Sequence, residues 1–136
     1  MPTDAAPGSA TPLAPPPATC EGQHLICELH GARLLRDVAH ITAAVRRAAE
    51  ACGATVLNVQ MHPFQENGGV AGVALLAESH ITIHTWPEHA YAAIDVFMCG
   101  ACDPRDSLPV WEAAFHPETL THQTLVRGTS SGSPRS

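Results

Sequence analysis

The sequence predicts an α+β fold, a two-layer α/β sandwich in which a mainly antiparallel sheet carries helices on one face. Two observations lead there. Apolar residues recur with a period that switches repeatedly between 2 and 3.6, in the order strand, helix, strands, helix, strand. The middle strand candidates are separated by only a few residues each, which suits antiparallel neighbours and leaves no room for crossovers. A length of 136 residues fits one domain, large enough to bury a core without metal or disulfide staples.

Residues 24–29 (HLICEL) read as the first strand. Leu34, Val38, Ile41, Val45, Ala48 and Cys52 then follow at steps of three and four, one apolar stripe on a helix, and Gly53 is placed to stop that helix. From Thr55 to His62 the pattern alternates, with Leu57, Val59 and Met61 on one face against Asn58, Gln60 and His62. Residues 70–77, 80–85 and 91–98 are three further strands. Residues 106–115 (DSLPVWEAAF) read as a short second helix in which Pro109 is tolerable only in the first turn. Residues 122–126 form a closing strand. The folded body is therefore 21–127. Residues 1–20 are rich in Pro and Ala and 128–136 in Ser and Gly, so both read as tails that cannot offset their conformational entropy by burial.

Composition narrows the function. Thirteen acidic against seven basic residues give a formal charge of −6, which argues against a nucleic-acid or anionic-membrane partner and suits a cationic small molecule. No basic residue precedes Arg33 and no apolar run near the start is long enough for a signal or a span, so the cytoplasm is the expected location. Five cysteines in no framework spacing indicate reduced thiols.

Reactive groups concentrate between residues 78 and 99. If 80–85 is a strand, His80, Thr82 and His84 share one face and Ile81 and Ile83 the other. The two imidazoles of this His-x-x-x-His then stand about 13 Å apart, too far for one zinc ion, and the β-branched run disfavours the helix that would bring them together. Cys99 and Cys102 form a single CxxC without a second pair or a strand-to-helix redox context, which reads as a turn. Taken singly, Ser79 would be a surface serine, His84 a hydrogen-bonded strand histidine, Cys99 a small apolar side chain and Trp86-Pro87 a packed corner.

The joint pattern decides otherwise. Residues 72–100 (GVALLAESHITIHTWPEHAYAAIDVFMCG) resemble the prokaryotic S-adenosylmethionine decarboxylase proenzymes, and the likeness extends more weakly upstream through GQHLICE (22–28), GAT (53–55) and HPF (62–64). The resemblance implies self-cleavage between Glu78 and Ser79 into fragments of 78 and 58 residues (136 minus 78), the second starting with a pyruvoyl group made from Ser79. It implies that the substrate amine forms a Schiff base with that group, that His84 is the base of processing and that Cys99 is the proton donor of turnover. A thiol, protonated in water at neutral pH, suits the last role. Phe64 and Trp86 match positions that flank the adenine ring, and Glu88 an acid that holds the ribose hydroxyls.

The resemblance further implies a dimer of cleaved protomers, with Phe64, Trp86 and Glu88 serving a neighbour's pyruvoyl group. The chain departs from the family at Ala71, where a Ser or Thr hydroxyl is usual, and over Gln65 to Gly69, which lines the expected pocket. Losing one such donor can cost on the order of a hundredfold in rate. Two alternatives stay open: a pyruvoyl-dependent arginine or ornithine decarboxylase on the same scaffold, and an unprocessed homologue that only binds. His62, His80, His89 and Tyr91 receive no role.

Overall fold

In the computed structural model, residues 21–128 are described, so both expected tails lie outside the described residues except for Gly128. Six strands form one antiparallel sheet: β1 (Gly22–His30), β2 (Val56–Pro63), β3 (Val70–Leu76), β4 (Ser79–Trp86), β5 (Tyr91–Cys99) and β6 (Thr119–Arg127), in the spatial order β2-β3-β4-β5-β1-β6. Two helices, α1 (Val38–Ala51) and α2 (Leu108–Phe115), cover one face. This is the expected α+β sandwich.

The core lies between sheet and helices. Leu25, Cys27 and Leu29 of β1, Ile81 and Ile83 of β4, and Ile94, Val96 and Met98 of β5 meet Ile41, Val45 and Ala48 of α1 and Trp111 and Phe115 of α2. The three central strands β1, β4 and β5 bury every second residue, so the period of 2 in their sequence is the direct trace of helices lying on one side only. Trp111 is fully buried, and its indole N–H donates to Ser107 Oγ, whose hydroxyl in turn donates to the Pro104 carbonyl.

Two expectations need correction. Leu34 is not part of the α1 stripe: Asp37 caps the helix by accepting the His40 N–H at 3.0 Å, so α1 starts at Val38, and Leu34 lies before it, 48% exposed with φ +64°. Leu57 does not share a face with Val59 and Met61, because the β2–β3 register shifts between Val56 and Asn58 and leaves Leu57 60% exposed. A bulge adds a residue, and an added residue reverses the facing of what precedes it. At the other end of α1, Gly53 follows the C-cap with φ +80°, as expected for a helix stop.

Candidate active site

Strands β3 and β4 are joined by Ala77 and Glu78 alone, since Leu76 pairs with Ser79. A loop this tight needs a left-handed residue, and the chain supplies Glu78 at φ +65° where glycine or asparagine would sit without penalty. For an L-residue that conformation costs about 1 kcal/mol. Ser79 follows, 7% exposed at the start of β4. Cys99, at the end of neighbouring β5, grips both sides of the Glu78–Ser79 peptide. Its backbone N–H donates to Ser79 Oγ at 3.2 Å and its thiol to the Glu78 carbonyl at 2.6 Å. A hollow of about 460 Å³ opens here, with His80, Phe97 and Arg127 on its wall. The Arg127 guanidinium lies 5.4 Å from the centre of the Phe97 ring.

His84 is elsewhere. Five residues along the same strand place it about 17 Å from Ser79, and the odd spacing turns it to the opposite face of the sheet. Ser79 is buried toward the helices while His84 is exposed on the open side. There it sits across from Ala71, which in turn sits across from His62. The hydroxyl that Ala71 lacks is therefore missing beside His84, not beside the Glu78–Ser79 peptide of the same chain.

The other expected binding residues keep company with His84. Phe64, Trp86 and His84 line one hollow of about 280 Å³, together with Asn67 and Thr85. Trp86 continues an aromatic row across three strands: its ring stacks on His84 at 6.0 Å and on Tyr91 at 5.2 Å, and Tyr91 stacks on His30 at 5.0 Å. Glu88 stands in a short 3-10 turn (Pro87–His89) and accepts hydrogen bonds from Asn67. Hydrogen bonds from its own backbone N–H and from Asn67 hold its carboxyl below the usual carboxylate range. Two clusters result: Glu78, Ser79 and Cys99 at one end of β4, and His84, Phe64, Trp86 and Glu88 toward the other.

The open face, which carries His84, has no helix over it among the described residues. Val73, Leu75, Trp86 and Leu125 are each at least 37% exposed there. Between them lies a polar centre. His24 Nε2 is shielded from solvent without a hydrogen bond, 3.8 Å from the Asp95 carboxylate, and Thr82 donates to the other Asp95 oxygen. Burial, with His24 alongside, lowers the pKa of His80. Tyr91 donates to Glu28, and that hydrogen bond, with burial, pushes its pKa up to about 12.

Sequence reasoning placed Asn67 in the segment lining the pocket but not its bond to Glu88, gave His62 and Tyr91 no role, and missed Glu28. The CxxC is a turn, closed by Cys102 N–H to the Cys99 carbonyl at 3.3 Å. Among the described residues no group of three or more His, Cys, Asp or Glu is arranged to hold a metal, and no helix is long and apolar enough to cross a membrane.

Residues 23–128 match the S-adenosylmethionine decarboxylase family. An S-adenosylmethionine decarboxylase proenzyme of Thermomicrobium roseum is 40% identical over 108 residues, covering 79% of this chain and 93% of that protein. One of Methanococcus maripaludis is 46% identical over 110 residues, covering 79% and 89%. The crystal structure of the adenosylmethionine decarboxylase of Aquifex aeolicus superposes with a TM-score of 0.72 at 29% identity, covering 88% of this chain and all of that one.

Proposed function

We propose, from the premise that this chain belongs to the S-adenosylmethionine decarboxylase family, that it cuts its own Glu78–Ser79 bond and turns Ser79 into the pyruvoyl group with which it works. The enzyme removes carbon dioxide from S-adenosylmethionine, giving the decarboxylated aminopropyl donor of polyamine biosynthesis. The observation that carries the reading is the grip of Cys99 on both Ser79 Oγ and the Glu78 carbonyl.

Cleavage starts from that arrangement. The thiol hydrogen bond polarises the Glu78 carbonyl, and the left-handed Glu78 backbone stores strain that attack by Ser79 Oγ releases. The C–N bond breaks as the C–O bond of an ester forms, and the nitrogen takes the hydroxyl proton. A base then removes the Ser79 α-proton, the Glu78 carboxylate leaves from the β-carbon, and water replaces the nitrogen as ammonia. These residues fit a pyruvoyl group: Ser79 begins a strand, so its new ketone would lie in the hollow beside Cys99 and Phe97. That group supplies an electron sink for the carboxylate's bonding pair. Cys99, already at the scissile carbonyl, holds the proton that the substrate carbon takes up.

His84 takes the α-proton of a second copy's Ser79. At about 17 Å it is beyond the roughly 3 Å reach of proton transfer within its own chain. Two copies meeting through the open face about a two-fold axis bring the cleavage hairpin of one to the His84 cluster of the other, and cover Val73, Leu75 and Leu125. Phe64 and Trp86 then sandwich the adenine and Glu88 takes the ribose hydroxyls. Alternative amino-acid substrates are less well served, since arginine and ornithine have no ring for this aromatic hollow. The cytoplasm, where thiols stay reduced, suits Cys99. Intact-mass analysis tests the reading: the full chain should resolve into two fragments, and a persisting single chain would reject it.

A further inference from the structure

We propose that Asn67 is a positioning residue of the ribose subsite, holding the Glu88 carboxylate in the orientation that two adjacent hydroxyls require. The inference rests on the reading of Glu88 as the ribose acid. An exposed glutamate samples several rotamers, and freezing them on binding costs affinity. Here the freezing is done beforehand. Asn67 Nδ2 lies 3.3 and 3.1 Å from the two Glu88 oxygens. The same side chain is fixed at its other end, because Asn67 Oδ1 accepts the Gly69 N–H at 2.8 Å. Its backbone is fixed as well: the Asn67 carbonyl accepts Arg36 Nε at 3.1 Å. A charged acceptor selects the donor nitrogen and an N–H selects the oxygen, so the amide has one orientation that satisfies both.

The loop is shaped for this purpose by two glycines. Gly68 has φ +74°, and a Cβ there would come within 2.8 Å of Arg36 Cδ and Nε. A Cβ on Gly69 would come 2.6 Å from the Thr85 carbonyl, a backbone atom that cannot swing away. Arg36, Asn67 and Glu88 thus form a chain running from the segment before α1, through the β2–β3 loop, to the turn after β4. The carboxylate keeps lone pairs free of Asn67, enough to accept both hydroxyls of a cis-diol.

Asn67→Asp separates positioning from loop structure. It keeps an oxygen for the Gly69 N–H and replaces the donor that faces Glu88 with a like charge. The test uses the self-cleaved enzyme and compares wild type, Asn67→Asp, Asn67→Ala and Glu88→Gln on S-adenosylmethionine and on its 3′-deoxyribose analogue. With KM and kcat taken per cleaved chain as counted by intact mass, the expected result is a KM for S-adenosylmethionine raised about tenfold in Asn67→Ala and further in Asn67→Asp, with kcat within about twofold. The wild type should prefer the full ribose, and the preference should shrink in both Asn67 variants. An Asn67→Asp enzyme with wild-type KM, or an equal KM rise for both substrates, overturns the role of Asn67. Glu88→Gln without effect on KM overturns the ribose reading beneath it.

Discussion

Co-expression of two dead chains should restore cleavage. Ser79→Ala has no nucleophile and His84→Ala no base, so each alone should remain a single chain. In a homodimer of either, every site lacks one partner. In a mixed dimer, one of the two sites is whole: Ser79 from the His84→Ala chain meets His84 from the Ser79→Ala chain. With equal expression and random pairing, about half of the dimers are mixed, so about half of the His84→Ala chains and a quarter of all chains should be cut. The figure follows from the separation in the structure: His84 and Ser79, five residues apart on β4 and on opposite faces, stand about 17 Å apart, whereas proton transfer needs about 3 Å. Intact-mass spectrometry with distinguishable tags on the two chains reads the outcome. No cleavage in the mixture, or cleavage of His84→Ala alone, would refute the reasoning.

Other consequences are as direct. Cys99→Ala should still self-cleave but about tenfold more slowly, since the weak thiol donor to the Glu78 carbonyl is lost, while decarboxylation by the cleaved enzyme falls by a hundredfold or more; equal losses in the two steps would contradict the division of roles. Native protein treated with iodoacetamide at pH 8 should not be labelled at Cys27 or Cys52, because burial pushes both pKa values to about 12 and leaves no thiolate, whereas Cys99 and Cys102 react; peptide mapping before and after denaturation checks this. Thr85→Val should destabilise the uncleaved Ser79→Ala chain by about 1–3 kcal/mol, because the Thr85 hydroxyl donates to the Leu35 carbonyl and accepts the Val70 N–H, each at 2.8 Å; denaturant unfolding measures it. Phe64→Ala should raise KM for S-adenosylmethionine at least tenfold while leaving self-cleavage intact, as judged by steady-state kinetics beside the fragment masses.

The strands were legible because one side of the sheet is dry. Ile81 and Ile83 had to point one way, which sent His80, Thr82 and His84 the other. Leu34 misled because an apolar residue at helical spacing says nothing about where a helix starts; the Asp37 cap does, through a hydrogen bond three residues on. Leu57 misled because a bulge leaves no mark on alternation until the partner strand is known. In the site, the run from Glu78 to Cys99 carried enough pattern to bring Ser79 and Cys99 to attention, and the structure joins them through two hydrogen bonds. That His84 lies apart was also available in the sequence, since an odd spacing on a strand changes faces. Gln65 to Gly69 stood out as a pocket-lining segment, but the role of Asn67 within it did not, because its bond to Glu88 crosses 21 residues and depends on two glycines whose need arises only in three dimensions.

The central claim is the cut, and the mass of the second fragment tests it most directly. The wild-type chain should yield a fragment ending at Glu78 and one beginning at position 79 that is lighter than its serine-ended form by the mass of one ammonia, while Ser79→Ala stays whole. A single intact wild-type chain, or a second fragment carrying an ordinary amino-terminal serine, would contradict the account.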